Sequence, residues 1–460
     1  MNDALVIQKK VFISAIVILV VLLIGTGIIT YFIPSGSYRY ELIDGVKTII
    51  PGTFQYTDTG NIAFWRIFTA PFEVLGAEGN VIIIAIIVFL LIIGGSITVL
   101  NKVGIIEHII YKIIDTFQDK KYVLLSVITL IFMSIGAFIG VFEEIVPLVP
   151  IMIVLSKKLG WDTKIGLGMS ILATGFGFSA AVTNPFTIGV AQELAGLPIF
   201  SGFLYRLVIF FIVYGLLIGF LLVHAKRIDQ TVNEEISTEH TVPNKRALLW
   251  VFLWLGIMII SIVVSPFVAF LQDYNLVLIA LYFLIAGIGV VLLGFEDKKV
   301  GFKAYLNGSL SMAPGVILIL LATGVKHIIT ISGVMDTILY NLVVVVENDP
   351  KFIVLSGAYL FTLLVNFFIG SGSAKAFLII PILNPLLDLS AIPRQLGVLA
   401  FQLGDGFSNL FYPTNAVLLV SLGLANFSYV KWFKWTVILQ VIIVVLSLLF
   451  LWIGLEIGYT

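Results

Sequence analysis

The sequence has no cysteine among its 460 residues, and charged residues are scarce. The missing cysteines exclude disulfides, thiolate metal sites and cysteine nucleophiles. Charged residues make up 11% of the chain, against about 25% in an ordinary soluble domain. Because the formal net charge is zero, there is no electrostatic argument for an acidic partner, and we expect no nucleic-acid binding.

Hydrophobic residues, in contrast, make up 60% of the chain. They occur in runs of about 20 residues, the length that a helix needs to cross a bilayer core. A transmembrane barrel would show alternating segments of about 10 residues instead. We therefore predict an all-α polytopic protein of the cytoplasmic membrane, with the lipid bilayer around it. The first run, residues 11–33, is too long for a signal peptide and is predicted as the first span.

Two similar pentapeptides indicate an internal repeat. Residues 175–179 read Gly-Phe-Gly-Phe-Ser and residues 404–408 read Gly-Asp-Gly-Phe-Ser, at an offset of 229. Each is followed by a Thr-Asn pair beside a proline. Residues 104–107 match 333–336 at the same offset, and 138–140 match 368–370 at 230. Ordered matches at nearly one offset predict two halves with the same series of elements.

The repeat divides the chain into a first half at 1–224, a polar linker at 225–246 and a second half at 247–460. Each half is predicted to hold an interrupted hairpin, at 141–160 and 371–390, and then a broken helix, at 165–195 and 396–424. Helix breakers persist at membrane depth only where the backbone is buried in protein or lines a wet cavity. Paired breaks at corresponding positions indicate the substrate site of a transporter.

The orientation of the two halves stays open in the sequence. If 122–140 and 352–369 both cross the membrane, five spans separate them and the halves have the same orientation. Repeats of this type are usually inverted, so we expect one misassigned span, in the region 248–330. The basic pairs do not settle the question, because under simple alternation they cannot all be cytoplasmic.

The broken helices carry polar side chains that are candidates for binding a solute. A helix that stops within the membrane offers free N–H groups to anions at its N-terminal end. Free carbonyls and nearby Ser, Thr and Asn oxygens suit a hard cation such as Na⁺. The candidates are Ser179, Thr183, Asn184, Ser408, Asn409, Thr414 and Asn415. Na⁺ as a coupling ion is expected near Ser179, Asn184, Ser408 and Asn415; the alternative is that these residues only cap and pack kinked helices.

Charged residues inside the predicted hairpins and the second broken helix are further candidates. A carboxylate in a membrane segment costs about 2.5–3.5 kcal/mol by insertion scales, so Glu143 and Glu144 are expected to mark a pathway unless one reaches the interface. Lys375, with Ser371 and Ser373 beside it, can face a substrate carboxylate or pair with Glu143, Glu144 or Asp405. Asp405 is predicted to coordinate a cation or exchange a proton, or else to cap the helix break.

Motifs of other functional classes are missing. Residues 370–376 are rich in glycine and serine but lack the phosphate-loop pattern, and no H-E-x-x-H zinc motif occurs. We therefore predict no enzyme and no cofactor other than Na⁺. The prediction is a secondary active transporter of a small carboxylate-bearing metabolite, a C4-dicarboxylate or an amino acid, working by symport or antiport. An arginine–ornithine exchanger and a passive channel are the alternatives.

The chain resembles the C4-dicarboxylate anaerobic carrier family, with its YfcC-like members, in the ion transporter superfamily. The stretches that carry the resemblance are 140–147, 183–185, 370–375 and 402–414. The resemblance implies two inverted repeats whose hairpins and unwound helices meet at a central site, and an elevator-type movement of a transport domain. The interfacial segments 104–117 and 333–346 would suit a scaffold that holds a homodimer.

Overall fold

The computed structural model describes residues 9–43, 46–57, 62–77, 80–117, 120–229, 243–264, 268, 270–271, 274–346 and 349–460. Most of the predicted linker, residues 230–242, lies outside this part of the chain. The helix before the linker extends through Ile228, and the helix after it begins at Lys245. The linker boundaries at 225 and 246 are thus both helical.

The described residues form mostly α-helices, in agreement with the predicted class. In the first half of the chain these are α1 (Lys9–Ile29), α2 (Arg66–Glu73), α3 (Asn80–Lys102), α4 (Ile105–Phe117), α5 (Lys121–Ser134), α6 (Val149–Lys158), α7 (Thr163–Leu167), α8 (Ala173–Ser179), α9 (Val190–Leu194) and α10 (Phe203–Ile228). In the second half they are α11 (Lys245–Val264), α12 (Asn275–Gly294), α13 (Lys298–Leu310), α14 (Ala313–Ile331), α15 (Val334–Val346), α16 (Lys351–Asn366), α17 (Gly372–Leu389), α18 (Arg394–Ser408), α19 (Ala416–Leu424) and α20 (Tyr429–Glu456).

Short strands interrupt the all-α pattern in the polar stretch between α1 and α2. They are β1 (Gly36–Ser37), β2 (Tyr40–Ile43), β3 (Val46–Ile49) and β4 (Gln55–Tyr56). β1 pairs with β4 and β2 with β3, both antiparallel. The element docks on α15, because the Tyr40 hydroxyl donates to Asp336 Oδ1 at 2.6 Å and Phe54 stacks on Tyr340 at 4.2 Å.

Nine helical segments in the described part of the chain are long and apolar enough to cross a membrane. Their outer faces expose large apolar side chains; on α20, Ile438 is 71% exposed and Val441 59% exposed. A soluble protein would bury such a face, whereas a bilayer solvates it. The protein is a multi-pass membrane protein.

α5 and α6 form a helical hairpin whose two outer ends lie side by side. A π-helical turn extends α5 to Ile139, and Gly140 then reverses the chain with a φ of 83°. The ring of Tyr122, at the start of α5, lies 5.9 Å from that of Trp161, just after α6. The predicted span at 122–140 and the predicted hairpin at 141–160 together cover these two antiparallel helices.

The second half of the chain repeats this arrangement with α16 and α17. Lys351 Nζ, at the start of α16, donates to the carbonyl of Ala391, just after α17, at 2.8 Å. The predicted span at 352–369 and the predicted hairpin at 371–390 together cover these two antiparallel helices. α5 with its π-helical turn and α17 are both long and apolar enough to cross a membrane, so the re-entrant character of the two pairs stays a prediction.

α13 and α14 run together as one segment, antiparallel to α3. Gly308 of α13 lies against Thr98, and Gly315 of α14 lies against Leu90, farther toward the start of α3. The region 248–330 overlaps three of the candidate spans, Lys245–Ile262, Leu276–Gly294 and Lys298–Ile331. The expectation of one misassigned span stays a prediction.

Five basic pairs lie at one end of the helix bundle, called the basic end below. They are Lys120-Lys121, Lys157-Lys158, Lys226-Arg227, Lys245-Arg246 and Lys298-Lys299. Lys121 Nζ pairs with Asp229 Oδ1 at 2.5 Å, and Lys226 Nζ lies 5.9 Å from the centre of the Tyr122 ring. These contacts bring the start of α5 to the end of α10.

Further contacts place the other pairs at the basic end. Asn244 Nδ2, before α11, donates to the carbonyl of Leu293, at the end of α12, at 2.9 Å. Gly294 lies against Val103, which follows α3. The chain enters α4 directly after this residue, and Lys158 Nζ of α6 donates to Tyr111 of α4 at 2.8 Å.

Candidate functional site

The helices that carry the two pentapeptides, α8 and α18, end against each other in the interior. Gly406 of α18 packs on the side chain of Ser179, the last residue of α8. Gln402 Nε2 donates to the carbonyl of Phe178 at 2.7 Å. One turn away, the rings of Phe176 and Phe407 contact edge to face at 5.3 Å. The two pentapeptides are therefore neighbours in space, although they lie in different halves of the chain.

Asparagine caps restart the helix after each break. Asn184 Oδ1 accepts from the N–H of Phe186 at 2.9 Å, and Asn415 Oδ1 accepts from that of Leu418 at 3.0 Å. Asn at this position satisfies an N–H group that has no partner within the helix. At the other side of each break, the hydroxyl of Ser179 donates to the carbonyl of Gly175 at 2.5 Å, and that of Ser408 donates to the carbonyl of Gly404 at 2.9 Å.

Threonine side chains within each break bond to backbone carbonyls of neighbouring elements. The hydroxyls of Thr183 and Thr414 donate to the carbonyls of Phe138 and Phe367, at 3.2 and 2.8 Å, which ties each break to the first arm of the hairpin in its own half. These partners are needed because lipid offers no hydrogen bonds to a freed backbone.

Arg206 of α10 and Trp432 of α20 hold break carbonyls and were missed by the sequence reading. The Arg206 guanidinium donates to the carbonyl of Val182 at 3.1 and 3.0 Å and is 2% exposed. The Trp432 indole donates to the carbonyl of Leu410 at 2.8 Å. An arginine near the start of an apolar helix looks like an interfacial anchor in a sequence, so no pattern singled it out.

A lysine–aspartate pair lies beside the second helix end. Lys375 Nζ, in the first turn of α17, donates to Asp405 Oδ1 and to Asn366 Oδ1. Both side chains of the ion pair are fully buried, at 0% exposure. Of the three carboxylates considered as partners of Lys375, the structure places Asp405 next to it. Asn366, which the sequence reading missed, is a polar residue inside an otherwise apolar arm.

Amide side chains connect this pair to the second break. Asn366 Nδ2 donates to Ser408 Oγ at 2.7 Å and to Asn409 Oδ1 at 3.0 Å. Asn415 Nδ2 donates to the same Asn409 oxygen at 3.0 Å. Three of the predicted polar residues of the second half thus form one network with the hairpin arm α16.

Three of the residues predicted to hold Na⁺ make hydrogen bonds within the protein. The hydroxyl of Ser179 points at a carbonyl of its own helix, and the Asn184 oxygen caps a helix start. Asn415 directs its oxygen at the N–H of Leu418. A donating hydroxyl and an amide oxygen with one accepted bond keep lone pairs for a cation, so Na⁺ near these residues stays a prediction.

Serines and carboxylates lie at the tips of the two hairpins. Ser371 Oγ accepts from the N–H of Ala374 at 3.4 Å and caps α17, with Ser373 Oγ at 3.4 Å from it. Glu144 Oε2, at the other tip, accepts from the N–H of Phe142 at 3.1 Å. Glu143 lines a small apolar cavity between its hairpin and helices α3, α14 and α19.

Lys326 is a second cation at the hairpin tips and was missed by the sequence reading. It belongs to α14, and its ammonium group lies against Gly370, one residue before the cap of α17. The charges of Glu143 and Lys375 influence the Lys326 ammonium group electrostatically. A lysine within an apolar helix was the available signal, because such residues are rare and functional in membrane helices, but in the sequence Lys326-His327 resembles the polar end of a span.

Comparison with known proteins identifies the family. The sequence profile described as "C4-dicarboxylate anaerobic carrier" matches residues 12–456. The chain belongs to this family. It is 26% identical over 464 residues to the Escherichia coli (strain K12) protein described as "Putative basic amino acid antiporter YfcC", with 92% of each chain covered. A Haemophilus influenzae protein is 23% identical over 478 residues, again with 92% of each covered.

Two solved transporter structures also resemble the chain. The Alcanivorax borkumensis YdaH transporter is 16% identical, with a TM-score of 0.44 over 97% of this chain and 98% of that one. Neisseria gonorrhoeae MtrF is 16% identical, with a TM-score of 0.40 over 96% and 94%. By family, this member of the C4-dicarboxylate anaerobic carriers is a membrane transporter of a small molecule rather than an enzyme.

Proposed function

We propose that the protein is a secondary active transporter of a small carboxylate-bearing metabolite, and that an amino acid with a cationic side chain suits its site best. The observation that carries the proposal is the buried pair of Lys375 and Asp405 where α8, α17 and α18 meet. Charged side chains are costly inside a membrane protein and are typical of a solute pathway, and this pair lies beside the ends of two broken helices.

The charges around this point favour a cationic amino acid over a dicarboxylate. Three carboxylates, of Glu143, Glu144 and Asp405, accompany two ammonium groups, of Lys326 and Lys375. With all five ionised, one negative charge remains. A dicarboxylate would add two more negative charges, whereas arginine or ornithine, with one net positive charge, would neutralise the site. The name of the Escherichia coli relative agrees with this choice.

The architecture that we propose is a pair of inverted repeats, α3–α10 and α13–α20. Antiparallel packing of α3 against α13 and α14, and of α8 against α18, supports the inversion. Each repeat would contribute a re-entrant hairpin and an unwound helix, and the body made from them would move as an elevator against α1–α3 and α11–α14. A homodimer is proposed as the assembly, held by the scaffold with arms α4 and α15.

Proteoliposome exchange tests the proposed function. We expect radiolabelled arginine or ornithine to accumulate when the lumen holds unlabelled ornithine, and uptake to saturate with concentration. Aspartate and succinate are the comparison substrates, and imposed Na⁺ or proton gradients test symport as the alternative to exchange. If none of the four compounds accumulates under any of these conditions, the transporter assignment to this substrate class is wrong. Flux that does not saturate would indicate a channel.

The basic end is predicted to face the cytoplasm, because membrane proteins carry an excess of Lys and Arg on that side. The absence of cysteine allows a direct test with single cysteines in intact cells. Arg39→Cys, between β1 and β2, should react with a membrane-impermeant maleimide. Lys299→Cys, at the basic end, should react only after the cells are opened. Both side chains are exposed, so the reverse labelling pattern would invert the topology.

A further inference from the structure

Of the two lysines at the site, Lys326 is the one without an ion-pair partner among the described residues. Its ammonium group makes no hydrogen bond or ion pair with the residues that the structure describes. Lys375, by comparison, is already bound to Asp405 and Asn366 and is fully buried. An unpaired ammonium group in a membrane helix is costly, so it is retained where it binds something.

The surroundings of Lys326 suit a carboxylate. Gly370 lies directly under the ammonium group, and a side chain at that position would occupy the same space. The next residue, Ser371, caps α17, a helix of 18 residues whose first N–H groups point away from the helix toward the tip. A free ammonium group next to free N–H donors attracts a carboxylate oxygen.

We propose that Lys326 binds the substrate carboxylate between the tips of the two hairpins. The inference rests on the proposed function, and it adds a binding residue outside the repeated motifs. Glu143, at the tip of the other hairpin, is the carboxylate whose charge acts on Lys326, and it is the proposed partner of a cationic group of the same substrate. Lys375 has a different role, as the partner of Asp405 within the wall of the site.

Because Lys326 belongs to α14, its proposed contact with the substrate carboxylate would also link α14 to the hairpin tips. α14 packs on the elements outside the two hairpins, with Gly324 against Pro71 of α2 and Gly315 against Leu90 of α3. Gly370 and Glu143 belong to the hairpin tips. A substrate carboxylate held by Lys326 would therefore bridge two bodies that the elevator proposal moves relative to each other.

The test compares arginine with agmatine, its analogue without the carboxylate, in binding to purified protein. Wild type should prefer arginine, and Lys326→Gln should lower arginine affinity roughly 10- to 100-fold, the value of a hydrogen bond to a charged group, while agmatine binding changes little. Lys326→Arg should retain part of the preference. Lys303→Ala, which removes an exposed lysine of α13, is the matched control. Unchanged arginine affinity in Lys326→Gln would overturn the inference, as would equal losses for both ligands.

A chemical rescue keeps the test decisive if Lys326→Gln folds poorly. Lys326→Cys would be the only cysteine in the chain, so aminoethyl methanethiosulfonate can restore an ammonium group there alone. Restored arginine binding, and slower modification in the presence of arginine, are the expected results; modification without either effect contradicts the proposal. If wild type binds succinate but no arginine, the proposed cationic amino-acid substrate is wrong. The role of Lys326 is then tested by measuring succinate binding to the same variants.

Discussion

Lys375→Ala is expected to lower the free energy of unfolding by about 3–5 kcal/mol, the usual cost of leaving one member of a buried ion pair without its partner. The variant would leave the Asp405 carboxylate unpaired at 0% exposure and would also free the oxygen of Asn366. Thermal unfolding of the purified protein in detergent measures the effect as a large fall in Tm. A Tm close to that of wild type would contradict the pairing.

A second variant separates the ion pair from substrate binding. Lys375→Met combined with Asp405→Leu removes both charges, and buried pairs replaced together by apolar residues are often nearly neutral in stability. We expect the double variant to recover most of the lost Tm without recovering transport. The sequence, in which glycines, serines and alanines surround Lys375, predicts it at the substrate site, where alanine would abolish binding but leave folding intact. The contacts of its ammonium group change that expectation.

The sequence could locate the breaks of the two central helices because the residues that make them are distinctive. Glycines that admit close packing, asparagines that cap and prolines that cannot continue a helix occur in apolar runs, where chance rarely places them. In the structure α8 ends at Ser179 and α18 ends at Ser408. The duplication made the helix breaks recognisable as a site, because one such kink is common and two matched kinks are not.

Hairpin arms and side-chain partners could not be predicted in the same way. α5 has the length and hydropathy of a span, and the contacts of Tyr122 and Lys121 with Trp161 show that the chain returns beside its start. Lys326 looked like a lysine that reaches the interface from the end of a span. Its contact with Gly370 depends on how α14 packs against a segment 44 residues away in the sequence. A local sequence pattern does not predict a contact between residues so far apart in the chain.

Gly177→Ala is expected to disrupt the junction between the first hairpin and the first broken helix. A Cβ at Gly177 would overlap the carbonyl of Met133 on α5, with the carbonyl carbon only 2.6 Å away. Both groups are backbone, so no side chain can turn aside, and α8 must move from α5. Overpacking of this kind costs about 1–3 kcal/mol and occasionally more, which a lower Tm would report.

The matched control is Gly189→Ala, at the end of the π-helical turn after the same break. Its Cβ would meet its nearest atom, on the ring of Phe200, at 3.7 Å, which is ordinary contact, so its stability should stay within about 0.5 kcal/mol of wild type. Because α8 ends at the site, Gly177→Ala should also reduce exchange by more than its lower folded fraction explains. Equal behaviour of the two variants would show that close approach of α5 and α8 is not what holds this helix end in place.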